Sequence, residues 1–199
     1  ADSRNLVKRE WLLIQCQEDS MAGMCDSLVQ EHEIIERVLD ALEREAGRVA
    51  SGSPVDLEFF TTAISFVRQF ADGLHHQKEE LVLFPALCDA GMPKDGGPVG
   101  VMLYEHDEGR GHIRAMEAAL QPDVEVNIEA RQHLVNETLA YVALLRAHIQ
   151  KENMILFPMA EEVLDVSQQN LARRQFAEAE QQHAENSARH RGWAASLRV

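Results

Sequence analysis

The segment HHQKEELVLFP, His75 to Pro85, returns as HIQKENMILFP, His148 to Pro158, with seven of the eleven positions identical. Each copy opens on a histidine and places a glutamate four residues later: His75 with Glu79, and His148 with Glu152. In an α-helix, residues i and i+4 lie about 40° apart and one turn above each other. Each pair therefore turns one imidazole and one carboxylate toward the same region, a spacing that suits a metal better than it suits an apolar core. The Leu-Phe-Pro ending of each copy reads as packing.

The repeat extends outward. Glu31-His32-Glu33 corresponds to Glu105-His106-Asp107. His32 precedes His75 by 43 positions, and His106 precedes His148 by 42. A whole helix pair is thus duplicated. The apolar periodicity predicts helices over about 26–46, 54–88, 99–120, 126–163 and 167–197, with a further helical segment over about 3–19. Ser53-Pro54-Val55-Asp56 reads as the start of the second helix, with Ser53 as N-cap and Pro54 in the first helical position. No stretch reads as a strand. The expected fold is all-α, an antiparallel up-down four-helix bundle over residues 26–165. A helical extension precedes it (1–25), and a C-terminal helix packs on it (166–199).

Composition fits that picture. Of the 199 residues, 45% are apolar and 26% charged, ordinary for a globular protein, and the formal charge is −14. Such acidity argues against nucleic acid or an anionic membrane as partner. No apolar run approaches a membrane span, and the first twenty residues lack the apolar core of a signal peptide. Cys16, Cys25 and Cys88 are odd in number and show no CxxC pattern, which favours a reducing compartment, with the cytoplasm as the expected location.

His32 and His106 fall on apolar stripes, as do the two His-Glu pairs. Ionisable groups there need partners, and a shared metal supplies them. Imidazole and carboxylate without thiolate suit iron, manganese or zinc. A carboxylate can bridge two cations, and the set His32, His75, Glu79, His106, His148 and Glu152 is better matched to two metals than to one. Two non-haem iron ions are the expected cofactor. His76 and Glu80 form a second i,i+4 pair. The Leu-Phe-Pro alignment selects His75 and Glu79, because positions 149 and 153 are Ile and Asn in the other copy. His76 and Glu80 are then expected to orient ligands through hydrogen bonds.

Taken together, EHE, HHQKEELVLFP, EHDEGR and HIQKENMILFP resemble the hemerythrin-like, or HHE cation-binding, family over about residues 26–163. The resemblance implies a four-helix bundle around a non-haem di-iron site, with an oxo or hydroxo bridge. It implies His32, His75, His106 and His148 as ligands and Glu79 and Glu152 as bridging carboxylates. Oxygen-carrying members have a further histidine where this chain has Met102. Water, Glu105 or His76 are the replacements at hand. The expected function is binding or sensing of dioxygen, nitric oxide or peroxide. Iron storage, donation or iron-centre repair, and a metal-free helical interaction module, stand as alternatives, and a homo-oligomer is compatible with all three. No motif assigns enzymatic turnover. Spacing puts His112 and His133 away from the site, and His183 and His190 on one face of the last helix. Tyr141 reads as core or as a hydrogen-bond donor near the site, Leu145 as core or as the lining of a small-molecule pocket, and Arg110 and Arg114 carry no assigned chemistry.

Overall fold

The computed structural model describes residues 23–121 and 124–198. The helix expected over 3–19 and Cys16 lie outside these residues. Six helices form, with no strand among the described residues. Helix α1 is Asp26–Ala50. Helix α2 is one rod over residues 57–89, α-helical at Leu57–Phe66, widened to π geometry over Val67–His76 and Glu79–Leu83, and α-helical again at Phe84–Asp89. Helix α3 is Pro98–Ala119. Helix α4 runs as Ile128–Lys151, a π turn at Glu152–Leu156, and Phe157–Val163. Helices α5, Val166–Gln182, and α6, Ala184–Ser196, follow. The first four make an antiparallel up-down bundle, with α4 packed against α1 and α3.

Two boundaries differ from the sequence reading. Helix α2 begins three residues late, because Asp56, not Ser53, accepts the backbone N–H of Phe59. Distant contacts hold the preceding residues outside the helix: Val55 N–H donates to Glu125 (2.7 Å), and Arg131 donates to the Ser53 carbonyl (2.8 Å). The long C-terminal helix is two helices with His183 at the joint.

The π turns explain the duplicated Leu-Phe-Pro. Proline lacks an N–H, and its ring clashes with the carbonyl four residues earlier. For Pro85 that carbonyl belongs to Leu81, and for Pro158 to Met154. Both fall inside the widened turns that open on Glu79 and Glu152. The upstream widening of α2 depends on Gly73, where a Cβ would sit 2.9 Å from the Arg68 carbonyl oxygen.

The apolar core is divided. One cluster includes Ile35, Leu39, Phe66, Phe70, Leu74 and Ile149. The other includes Leu28, Leu83, Leu87, Met102, Leu156 and Phe157. Between them every bundle helix contributes polar residues that are fully or almost fully buried: Glu31 and His32, then His75, His76, Lys78 and Glu79, then His106, and His148 and Glu152. Each large apolar side chain buried in the flanking clusters contributes about 1.5–3 kcal/mol, which offsets the cost of enclosing this polar layer.

Candidate metal centre

The polar layer brings all six sequence-selected residues together and adds a seventh, His76. His32, His75, Glu79 and Glu152 each offer a donor atom within 4.8 Å of the others; so do His76, Glu79, His106 and His148. The two groups share Glu79. Its Oε1 lies 3.4 Å from His75 Nε2 and its Oε2 3.4 Å from His106 Nε2. Glu152 spans the opposite pair, with Oε2 3.2 Å from His32 Nε2 and Oε1 3.2 Å from His148 Nε2.

Each imidazole is held from behind through Nδ1. His75 is held by Glu31 (3.1 Å), His148 by Glu105 (2.9 Å), His106 by Glu80 (2.7 Å), His32 by Asn153 (2.8 Å) and His76 by Asp72 (3.4 Å). An ionised carboxylate or an amide oxygen only accepts, so Nδ1 carries the hydrogen and the Nε2 lone pair faces inward. The duplication governs this outer layer too. Glu31 and Glu105, each preceding a histidine of one helix, support the histidine of the next. Glu80 and Asn153, each following a central glutamate, support His106 and His32. Lys78 and Lys151 occupy matching places and pair with Glu31 and Glu105. His76 alone has no counterpart, since position 149 is Ile.

The interior is unsatisfied by protein groups. Among the described residues, no oxygen of Glu79 or Glu152 makes a hydrogen bond, nor does His32 Nε2, and all are buried. His106 Nε2 and His148 Nε2 lie 3.1 Å apart, lone pair toward lone pair in the tautomers their carboxylate partners select. Such an arrangement requires positive charge at its centre. Among the protein's own groups only protons can supply it, and the titrations divide accordingly. Burial pushes His75 down to about 3, and burial with neighbouring imidazoles takes His76 well below its usual range. Burial also opposes charge on His106, but the nearby Glu79 carboxylate and the bond to Glu80 outweigh it and raise it to about 9. Contacts with Glu152 overcome burial in the same way and raise His32 and His148. Glu152 is itself held well below the carboxylate range by His148 and His32, despite burial that opposes this. A dry ring of imidazoles with two orphaned carboxylates is a donor set that fits a pair of divalent cations.

The family model of the hemerythrin HHE cation binding domain matches residues 24–160. The chain belongs to this hemerythrin HHE family. Among curated proteins, relatives named only as uncharacterized proteins are similar: Rv1995 of Mycobacterium tuberculosis and Mb2018 of Mycobacterium bovis. Each is 24% identical over 139 residues, covering 70% of this chain and 54% of the relative. The chain thus spans about half the length of the curated relatives it matches. No solved structure matches.

Within this hemerythrin HHE protein, the remaining sequence candidates fall where packing or surface roles place them. His112 and His133 both meet Glu137, outside the polar layer. His190 packs on Phe66 and bonds Gln69. Met102, in the position of the missing histidine, is buried in the apolar cluster beside Leu28 and Phe84. The polar place is taken instead by His76 from the neighbouring helix, stacked 3.8 Å from the His106 ring. Spacing missed the supporting groups Glu31, Asp72 and Asn153. The repeated Glu-His pairing, Glu31-His32 and Glu105-His106, is the signal that could have found Glu31. Asp72 stands four residues before His76, an i,i+4 signal open to a local search.

Proposed function

We propose that this protein is a non-haem di-iron protein that binds or senses dioxygen or a related small molecule such as nitric oxide or peroxide. The observation that supports this reading most is the shared Glu79, whose two orphaned oxygens face two separate imidazole groups. His32 and His75 would hold one ion, and His76, His106 and His148 the other, with Glu79 and Glu152 between them. The iron pair would supply redox activity and an open position for the small ligand. The chain fixes each imidazole through Nδ1 and excludes water with the apolar clusters on either side. The expected setting is a reducing cytoplasm.

Anaerobic loading with ferrous iron and metal analysis after desalting tests the reading. About two irons per chain are expected, with new near-ultraviolet absorption on exposure to dioxygen. Retention of no iron would overturn it. Iron retained but passed to an acceptor without response to dioxygen would transfer the case to iron donation.

Metal affinity should depend on pH with a definite sign. His106, raised to about 9, carries a proton at neutrality that a metal must displace, and His32 and His148, raised above the ordinary histidine value, hold theirs to higher pH than usual. Affinity therefore rises with pH up to about 9, by about tenfold per unit for each proton displaced. His75 and His76 are already neutral and add nothing to the slope above pH 6. Chelator competition with cobalt between pH 6.5 and 8.5, with proton release followed by an indicator, measures this. A flat profile contradicts it.

A further inference from the structure

A cavity of about 200 Å³ opens beside the three-histidine side of the polar layer. Its floor is formed by His76 and His106, and its walls include Val67, Ile113 and Leu145. A void of about 150 Å³ accommodates a benzene ring, so this one is far larger than a diatomic molecule requires. Gly109 keeps the wall open. A Cβ there would already lie 3.5 Å from Tyr141 Cε2, and a longer side chain would enter the space.

The acids in the lining, Asp72 and Glu105, are engaged by Arg110 and His76 and by His148 and Lys151, so two other polar groups give the cavity its chemical preference. Tyr141 lines it, is 2% exposed, and its hydroxyl makes no hydrogen bond among the described residues. A buried phenol normally finds a partner, and an O–H facing a cavity is poised to donate to a ligand oxygen. Arg114 lines the cavity from an exposed position and makes no ion pair or hydrogen bond among the described residues. The other two cavity arginines are committed: Arg68 forks onto Glu117, and Arg110 is held by Asp72, Glu80 and Asp107. On a chain of net charge −14, a free guanidinium at the entrance is a specific invitation to an anion.

We propose that this cavity is a binding site for a small organic monocarboxylate of about one ring, its apolar body against Val67, Ile113 and Leu145 and its oxygens served by Tyr141 and Arg114. The site would bring an organic ligand to the His76–His106 face of the centre. That placement rests on the di-metal reading; the binding itself does not.

Benzoate is the probe and benzyl alcohol its neutral counterpart. Both are titrated into chelator-treated and zinc-loaded protein by ligand-observed NMR. Saturable benzoate binding is expected in both. Arg114→Gln, at an exposed position, should weaken benzoate about tenfold and leave benzyl alcohol unchanged. Tyr141→Phe should weaken both ligands several-fold while Tm stays level or rises, since the lost hydroxyl has no partner to forfeit. Absence of saturable binding at about 10 mM, or equal benzoate affinity in wild type and both variants, overturns the proposal. Protein that takes up metal but no benzoate sinks the pocket alone, and protein that binds benzoate but no metal sinks the di-metal reading alone.

Discussion

Replacing Glu79 with glutamine is expected to lower metal uptake from about two ions per chain to one or fewer. Glu79 is the one residue common to both donor groups, with an oxygen 3.4 Å from an imidazole of each. Glutamine keeps the shape but offers one neutral acceptor and one donor, and the donor face would oppose a cation. The loss of negative charge matters as much as the loss of a ligand. Two cations enclosed in one dry layer repel each other strongly, and the shared carboxylate offsets that repulsion. In metal-free protein the substitution removes one of the two carboxylates that hold a proton on His106, so the His106 titration should move down. Metal should also stop protecting the variant. Ligand at a hundred times its dissociation constant adds about 2.7 kcal/mol to wild type, and the variant should show little of this. Glu80→Gln is the contrasting substitution. It leaves both donor groups intact and weakens only the support of His106, so affinity falls about 10–100-fold with stoichiometry unchanged. A Glu79→Gln protein that still holds two ions at wild-type affinity would refute the shared-carboxylate geometry.

What the chain discloses without coordinates follows a physical division. Leu28, Ile35, Leu39 and Leu42 recur at helical spacing, and the duplication places four histidines at matching depths, so the bundle and six of its inward groups could be read directly. His76 could be read either as an orienting group or as a replacement for the histidine missing at Met102, and a period of 3.6 residues per turn does not choose between them. The widened stretch Val67–His76 lets two consecutive imidazoles, 5.6 Å apart, both enter the interior. Gly73 is the local mark of that widening, but its effect emerges only once the helix is built. The fate of the paired lysines was likewise not local. Lys78 is fully buried and Lys151 is not, though they occupy the same place in the repeat. The difference comes from α5, whose Phe176 and Glu180 cover Lys78.

That covered lysine supports the second large effect. Lys78→Met is expected to destabilise the protein by about 3–5 kcal/mol. Lys78 Nζ lies 2.9 Å from Glu31 Oε2 and 2.9 Å from Glu180 Oε1, and both Lys78 and Glu31 are wholly inaccessible. Without the ammonium, Glu31 retains, among the described residues, Arg191 at 3.3 Å as its charged partner and the neutral His75 as a hydrogen-bond partner. Burial already raises the Glu31 carboxyl, and Lys78 is the leading influence that restrains it. In the variant the folded-state pKa moves further up, so folding takes up a proton and stability increases as pH falls. The gap between variant and wild type should therefore narrow from pH 8 to pH 5, as measured by urea unfolding of metal-free protein. Replacing both partners separates packing from function. Glu31→Leu with Lys78→Met removes the stranded charge and should recover much of the stability, since an apolar pair can substitute for a buried ion pair. It cannot recover the hydrogen bond that orients His75, so metal affinity should stay about 10–100-fold low even in the restabilised protein. Stability and affinity recovering together would mean that Glu31 serves only to neutralise Lys78; affinity remaining low while stability returns would identify it as the group that aims His75 at the centre.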